Sequence, residues 1–391
     1  SRRHFQAERM KLVILDRDGV INFDSVHFIK SPAEWKAIPG SVEAIARLTQ
    51  AGYRVGRAGK THTVPKSVFN FEKVPGFEEN CIAVTADYTV DGIRDFMRQD
   101  SPFCLFVCST LSHAPWTCGN KDEFDADKVI LPPNCVDNKG TRELFRRLLA
   151  EIRALDNQVG DVLKTIEEVG KLDNTLVVFL GEQGPQLPGG KWTCWNYGQS
   201  SALVARYPAK IKAKSTSDAI VQYEDILPTL MEFVGGDEIE GIDGKSFLKA
   251  LFGKEKEHRR FAYGIHNNIP EGTAYPIRSI RNKRYKLILN LTPEVEYFEK
   301  HLMNLKNERS VWASWIESTK TDKRARYFVD RYVKRPAIEF YDMQKDPWEL
   351  NNLAEEKKYA KRIAMMKGEL EAWMRQQGDT GAQMDVKIKK Q

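Results

Sequence analysis

The sequence predicts an α/β fold in which a mostly parallel sheet is flanked by helices, with a smaller C-terminal α+β subdomain. Three observations predict it. Short apolar runs at Lys11–Leu15 (KLVIL), residues 102–109 (PFCLFVCS) and Thr175–Leu180 (TLVVFL) read as strands buried on both faces. Segments of helical periodicity separate them, and strands alternating with helices imply a parallel sheet. Polar residues collect where the strands finish, which is the edge at which open parallel sheets bind ligands.

The elements follow in order. The strand at residues 11–15 runs into Asp16-Arg17-Asp18-Gly19, so acidic groups sit at its carboxyl end. Ser41 opens a periodic segment, Val42, Ile45, Ala46 and Leu48, which stops at Gly52 as a helix with a capping serine and a terminal glycine would. Tyr53-Arg54-Val55 is the next strand and leads into Gly56-Arg57-Ala58-Gly59-Lys60-Thr61-His62. The strand at 102–109 is followed by His113-Ala114-Pro115-Trp116. The longest helical pattern joins Leu144, Leu148, Ile152, Leu155, Val159, Leu163 and Ile166 and ends near Gly170. Thr175–Leu180 then ends in Gly181-Glu182-Gln183-Gly184; residues 202–206 add a strand and 217–234 a helix. Beyond Lys256 the runs shorten, with strands expected at 285–289 and 338–343 and a closing amphipathic helix at 354–374.

Composition bounds the function. Apolar residues make up 41% and charged residues 29%, the profile of a soluble globular chain. Sixty Lys+Arg against 54 Asp+Glu leave +6, too mild and too dispersed for a nucleic-acid partner but suited to a small anionic substrate. No stretch approaches the roughly 18 apolar residues of a membrane span. Residues 1–9 are polar and lack the apolar centre of a secretory signal. The six cysteines show no metal-ligand spacing and several sit in apolar runs, so small buried hydrophobes in a reducing, cytoplasmic setting are expected.

The chemistry gathers in five elements. Lys60 and His62 stand at i and i+2 on a strand end, so both point to one side, where they can grip an oxyanion. With Gly52-Tyr53 and Gly59 they resemble the GYxTxxxGKxH element of the sulfatases. Ser112-His113-Ala114-Pro115-Trp116 resembles that family's PHxPW loop, Gly181-Glu182-Gln183-Gly184 its SDxG element, and Gly189-Gly190-Lys191-Trp192 its GGKW. Tyr341-Asp342 with Asp346-Pro347-Trp348-Glu349 and Asn352-Leu353 resembles its C-terminal motif. Singly, each lysine or glutamate reads as a solvated surface group; five elements in order over some three hundred residues do not.

The resemblance implies an alkaline-phosphatase-like fold and sulfuric ester hydrolysis on a sulfated sugar. It implies that Lys60, His62 and Lys191 hold the sulfate and that His113 faces the leaving group or assists the nucleophile. It also makes Glu182 and Gln183 oxygen ligands of a calcium ion, although Glu182 is one methylene longer than the family's aspartate. The family's nucleophile is a cysteine or serine in C/S-x-P-x-R, oxidised to formylglycine, and no cysteine or serine here is followed by x-Pro-x-Arg. Sulfatase turnover is therefore expected to be impaired.

The front of the chain resembles a different family. Leu12-Val13-Ile14-Leu15-Asp16-Arg17-Asp18-Gly19-Val20-Ile21-Asn22 and the following Pro39-Gly40-Ser41-Val42-Glu43-Ala44-Ile45 are similar to haloacid-dehalogenase phosphatases acting on heptose bisphosphate. That resemblance implies Asp16 as nucleophile and Asp18 as general acid/base, both on Mg2+. The later motifs of that family are absent, so the chain reads as a chimera joined within residues 51–56. The expected organisation is an extension at 1–9, a phosphatase-like β-α segment at 10–55, a sulfatase-like core at 56–256, and a C-terminal subdomain with tail at 257–391. Asp16 and Asp18 are expected to stand where the lost sulfatase aspartates would, completing a cation site with Glu182 and Gln183. Two rival functions remain: a Mg2+-dependent phosphatase acting on a phosphate ester through Asp16, and a non-catalytic anion-binding remnant.

Overall fold

The computed structural model describes residues 11–15, 46, 48, 49, 52–61, 69–80, 83–307 and 310–384, the first five by backbone alone. Asp16, Asp18, His62 and most of the helix expected at residues 41–52 lie outside the described residues. The chain divides into two compact units, one comprising 1–111, 152–182 and 201–258, the other 112–151, 183–200 and 259–391.

The first unit is built on a six-stranded sheet: β1 (Lys11–Leu15), β2 (Arg54–Gly59), β3 (Glu72–Val74), β4 (Phe103–Cys108), β5 (Thr175–Leu180) and β6 (Leu203–Arg206), in the order β3-β2-β4-β1-β5-β6. All pairs are parallel except β5 with β6. β1 is central, with Leu12 opposite Cys104 on one side and Leu176 on the other.

Strand β4 shows why the centre of this sheet is apolar. All six of its residues are buried, and they alternate between two cores. Phe103, Leu105 and Val107 join Ile93, Phe96 and Met97 of helix α1 (Asp91–Arg98) and Val162 and Ile166 of helix α2 (Lys139–Glu168). Cys104, Phe106 and Cys108 join Ile226, Leu230 and Phe233 of helix α3 (Ile226–Phe233). A strand with helices on both faces has no side left for polar groups, so its polarity is displaced to its ends.

The expected helix at 217–234 is shorter than its apolar content suggests. Gln222 and Asp225 form a reciprocal capping box around the 3-10 turn Tyr223–Asp225, and α3 begins only at Ile226. The backbone N–H of Gln222 donates to Asp225 Oδ2 at 3.0 Å, which fixes the start of the helix.

The second unit holds a four-stranded antiparallel sheet of β7 (Ala262–His266), β8 (Ile277–Arg281), β9 (Tyr285–Asn290) and β10 (Ile338–Asp342), in the order β10-β9-β8-β7. One face, with Ile280, Leu287, Leu289 and Phe340, packs on Ile363, Met366 and Leu370. Those three residues belong to the C-terminal helix Ala360–Gln376. The other face, with Ile277, Ile288 and Tyr341, packs on an aromatic core of Trp195, Trp312, Trp315 and Tyr332. Residues 139–151 of α2 belong to this unit and 152–168 to the first. Among the described residues no helix is long and apolar enough to cross a membrane.

Candidate functional site

The parallel strands β2, β4, β1 and β5 finish at one edge of the sheet, and two of the expected site residues lie at that edge. Lys60 follows β2 directly. Gly59 before it has φ +88°, and a Cβ there would stand 2.1 Å from the Cys108 carbonyl oxygen, so only glycine lets the two strand ends close up. The Lys60 backbone N–H then donates to the same Cys108 carbonyl at 2.9 Å. The residue is only 7% exposed, which burial of a lysine stem beside a closing backbone explains. Glu182 lies just past the end of β5 and is half-buried. The Gly181 carbonyl before it accepts from the Tyr223 hydroxyl, tying the strand end to the turn before α3.

His113, Gln183 and Lys191 belong to the second unit. The His113 loop begins with Ser112 in the left-handed region (φ 54°), and the Trp116 indole N–H reaches back to the Ser112 carbonyl at 3.0 Å. His113 Nδ1 lies 2.7 Å from the Ala114 carbonyl. A carbonyl only accepts, so Nδ1 carries the proton in this contact. Glu151 on α2 anchors the far end of the loop: its fully buried carboxylate accepts the backbone N–H groups of Thr117 and Cys118, both at 3.3 Å. Burial pushes this carboxyl up to about 7.

The loop carrying Lys191 is built from backbone packed on backbone. A Cβ at Gly190 would stand 2.2 Å from the Pro185 carbonyl oxygen. The N–H of Lys191 donates to that carbonyl at 2.9 Å, and the Thr193 hydroxyl donates to the Gly190 carbonyl at 2.8 Å. Trp192 takes φ 68°, unusual for an aromatic residue and a mark of a conformation imposed by its surroundings. From below, Glu349 Oε2 accepts the N–H of Asn196 at 2.5 Å and Glu339 Oε2 accepts the Trp195 indole N–H at 2.7 Å. Behind the loop a small cavity lined by Gly189, Trp195, Arg331 and Glu349 has room for a water. The His113 and Lys191 loops share one core, in which Trp116 and Ala114 join Leu187, Trp192 and Trp195.

Gln183 is exposed. Among the described residues no group of three or more His, Cys, Asp and Glu side chains gathers as a metal site would. Glu182 and Gln183 supply one carboxylate and one amide oxygen, the donor chemistry of a hard divalent cation; Asp16 and Asp18, the expected remainder, lie outside the described residues.

A family model described as "Sulfatase" matches residues 20–236, more than half of the chain. The chain belongs to the sulfatase family. A second family model, described as "N-sulphoglucosamine sulphohydrolase, C-terminal", matches residues 191–323. The chain is 32% identical over 348 residues, 85% of its length, to an ulvan-active sulfatase of Formosa agariphila. It spans 64% of that sulfatase and 41% of a second one from the same organism, and so less than two thirds of these curated relatives. The fold matches that of a protein solved in complex with its substrate D-glucosamine-2-N,6-O-disulfate, with a TM-score of 0.62 and 20% identity, over 87% of this chain and 82% of that one. The phosphatase-like segment also has a relative, the D-glycero-beta-D-manno-heptose-1,7-bisphosphate 7-phosphatase of Bordetella bronchiseptica. It is 56% identical over 61 residues, 16% of this chain and 34% of that protein. Sulfatases as a family generally use a divalent metal.

Residues that the motifs alone did not single out include Glu151, which holds the His113 loop, and His301, which stacks on Trp192 with ring centroids 5.2 Å apart. Nothing local to either marks it. Glu349 stood inside the C-terminal motif, and its contact with Asn196 shows that motif supporting the Lys191 loop.

Proposed function

We propose that this chain binds the sulfate ester of a sulfated sugar and, with the residues it has, hydrolyses it slowly or not at all. Family membership makes it a sulfuric ester hydrolase by descent. The observation that supports binding most is the built loop at Gly189-Gly190-Lys191-Trp192, where backbone hydrogen bonds and close glycine packing fix the backbone that carries Lys191. In this reading Lys60, His62 and Lys191 hold the sulfate and His113 faces the leaving group. Asp16, Asp18, Glu182 and Gln183 would hold a calcium ion, which supplies charge to polarise the sulfate oxygens. The attacking atom is what the sequence lacks, since no cysteine or serine stands in C/S-x-P-x-R. A sulfated glucosamine is the substrate class favoured, because the model matching residues 191–323 describes an N-sulphoglucosamine sulphohydrolase.

A second reading, a Mg2+-dependent phosphatase using Asp16 and Asp18, is favoured by the segment 56% identical to the heptose-bisphosphate phosphatase. One assay separates the two. The chain, Asp16→Asn and Lys191→Ala are tested on an aryl sulfate and an aryl phosphate with calcium or magnesium. Silence on both esters, with sulfate raising the melting temperature of the parent and not of Lys191→Ala, is the expected result. Phosphate hydrolysis lost only in Asp16→Asn establishes the second reading, and sulfate hydrolysis by the parent overturns the account of the missing nucleophile.

A further inference from the structure

We infer that His301, backed by Trp192, is a stacking platform for a pyranose ring beside Lys191, so that this part of the second unit recognises a sulfated saccharide by ring and charge together. The inference rests on the reading of Lys191 as a sulfate ligand.

The two rings lie almost parallel, 15° apart with centroids separated by 5.2 Å, and the Lys191 ammonium stands 5.4 Å from the same indole. One indole therefore holds both an aromatic plane and a cation. Neither ring is placed by chance. Trp192 keeps its left-handed backbone while the Tyr297 hydroxyl donates to its carbonyl at 2.8 Å. His301 sits on a turn fixed by Glu299, whose fully buried carboxylate accepts the N–H groups of His301 at 2.7 Å and Leu302 at 2.8 Å.

A tryptophan–histidine pair serving only the core would be covered. Here 45% of the His301 side chain remains exposed, on a turn whose backbone N–H groups are bonded to Glu299. Burial, with the ammonium groups of Lys300 and Lys191, holds the imidazole below its ordinary pKa. At neutral pH the ring is thus uncharged and its face accepts the apolar C–H side of a sugar, as aromatic faces do. The two lysines supply the cationic rim that a sulfated sugar requires. Lys300 is itself steadied by a 2.9 Å bond from its ammonium to the Pro270 carbonyl.

The test compares a ring-bearing ligand with a ringless one. D-Glucosamine-2-N,6-O-disulfate and inorganic sulfate are titrated calorimetrically into the parent chain, His301→Ala, His301→Phe and Lys191→Ala. His301→Ala is expected to weaken the saccharide roughly two- to tenfold, the range of a lost aromatic contact. Inorganic sulfate should change less than the saccharide does, and His301→Phe should restore the saccharide. Saccharide affinity indifferent to His301, or falling in step with inorganic sulfate, overturns the platform. Saccharide binding that needs His301 while sulfate ignores Lys191→Ala keeps the platform and removes the reading beneath it. No saccharide binding by the parent overturns both.

Discussion

Strands β4 and β9 are each six residues long and wholly buried, yet they use burial in opposite ways. β4 reads FCLFVC and carries no charge; its polarity waits at the strand end, where chemistry in a parallel sheet takes place. β9 reads YKLILN and buries Lys286 completely, with its ammonium 3.2 Å from Glu349 Oε1. That glutamate in turn holds the Asn196 N–H under the Lys191 loop. The difference teaches where to look for function in this chain. The buried Lys286–Glu349 pair supports a loop, whereas β4 keeps charge off the strand altogether.

The largest effect should come from breaking the scaffold. Lys286→Ala leaves Glu349 buried without its cation, and the expected loss is about 3–5 kcal/mol in denaturant unfolding. The double replacement Lys286→Met, Glu349→Leu should lose markedly less, because no uncompensated charge remains; a double variant as unstable as the single would show that the pair is not what matters. In β4, Leu105→Ala removes a fully buried side chain, and about 2–5 kcal/mol is expected from the cavity it leaves. A loss below 1 kcal/mol would mean that the strand is not sandwiched as described.

Gly190→Ala sharpens the contrast further. Its Cβ would meet the Pro185 carbonyl oxygen, so the Lys191 loop must move. Sulfate-induced stabilisation should fall at least severalfold while far-UV dichroism is retained, and unchanged sulfate response would contradict the loop's role.

The smallest effect concerns pH. Glu151 keeps its proton up to about 7, against an ordinary value near 4.5. Between those values the unfolded chain has released a proton that the folded chain still holds, so this group's contribution to stability falls as pH rises. Relative to the parent, Glu151→Gln should therefore gain stability from pH 4.5 to 7 and run parallel to it above and below. A difference that does not change with pH would place the carboxyl in an ordinary solvated setting.

The parallel sheet was readable in the sequence because β4 and β5 are unbroken apolar runs, and apolarity on both faces needs only local residues to be seen. The start of α3 was not readable, since a hydrogen-bonded box between Gln222 and Asp225 decides it and apolar periodicity continues upstream. β8 was hidden by Arg278, a buried guanidinium in mid-strand, which is paired with Asp379 across 101 residues. Lys60 and Lys191 could be proposed only because their motifs recur in order with three others that resemble the sulfatases, and the close backbone approaches at Gly59 and Gly190 give the neighbouring glycines a physical reason. The Trp192–His301 pair could not be proposed, because its two rings meet only through folding.

The proposal most exposed to refutation is that the Lys191 loop binds sulfate. Inorganic sulfate titrated calorimetrically into the parent and into Lys191→Ala tests it directly. If Lys191 is a sulfate ligand, the substitution should weaken binding at least tenfold, about 1.4 kcal/mol. Sulfate affinity equal to that of the parent in Lys191→Ala would contradict the account.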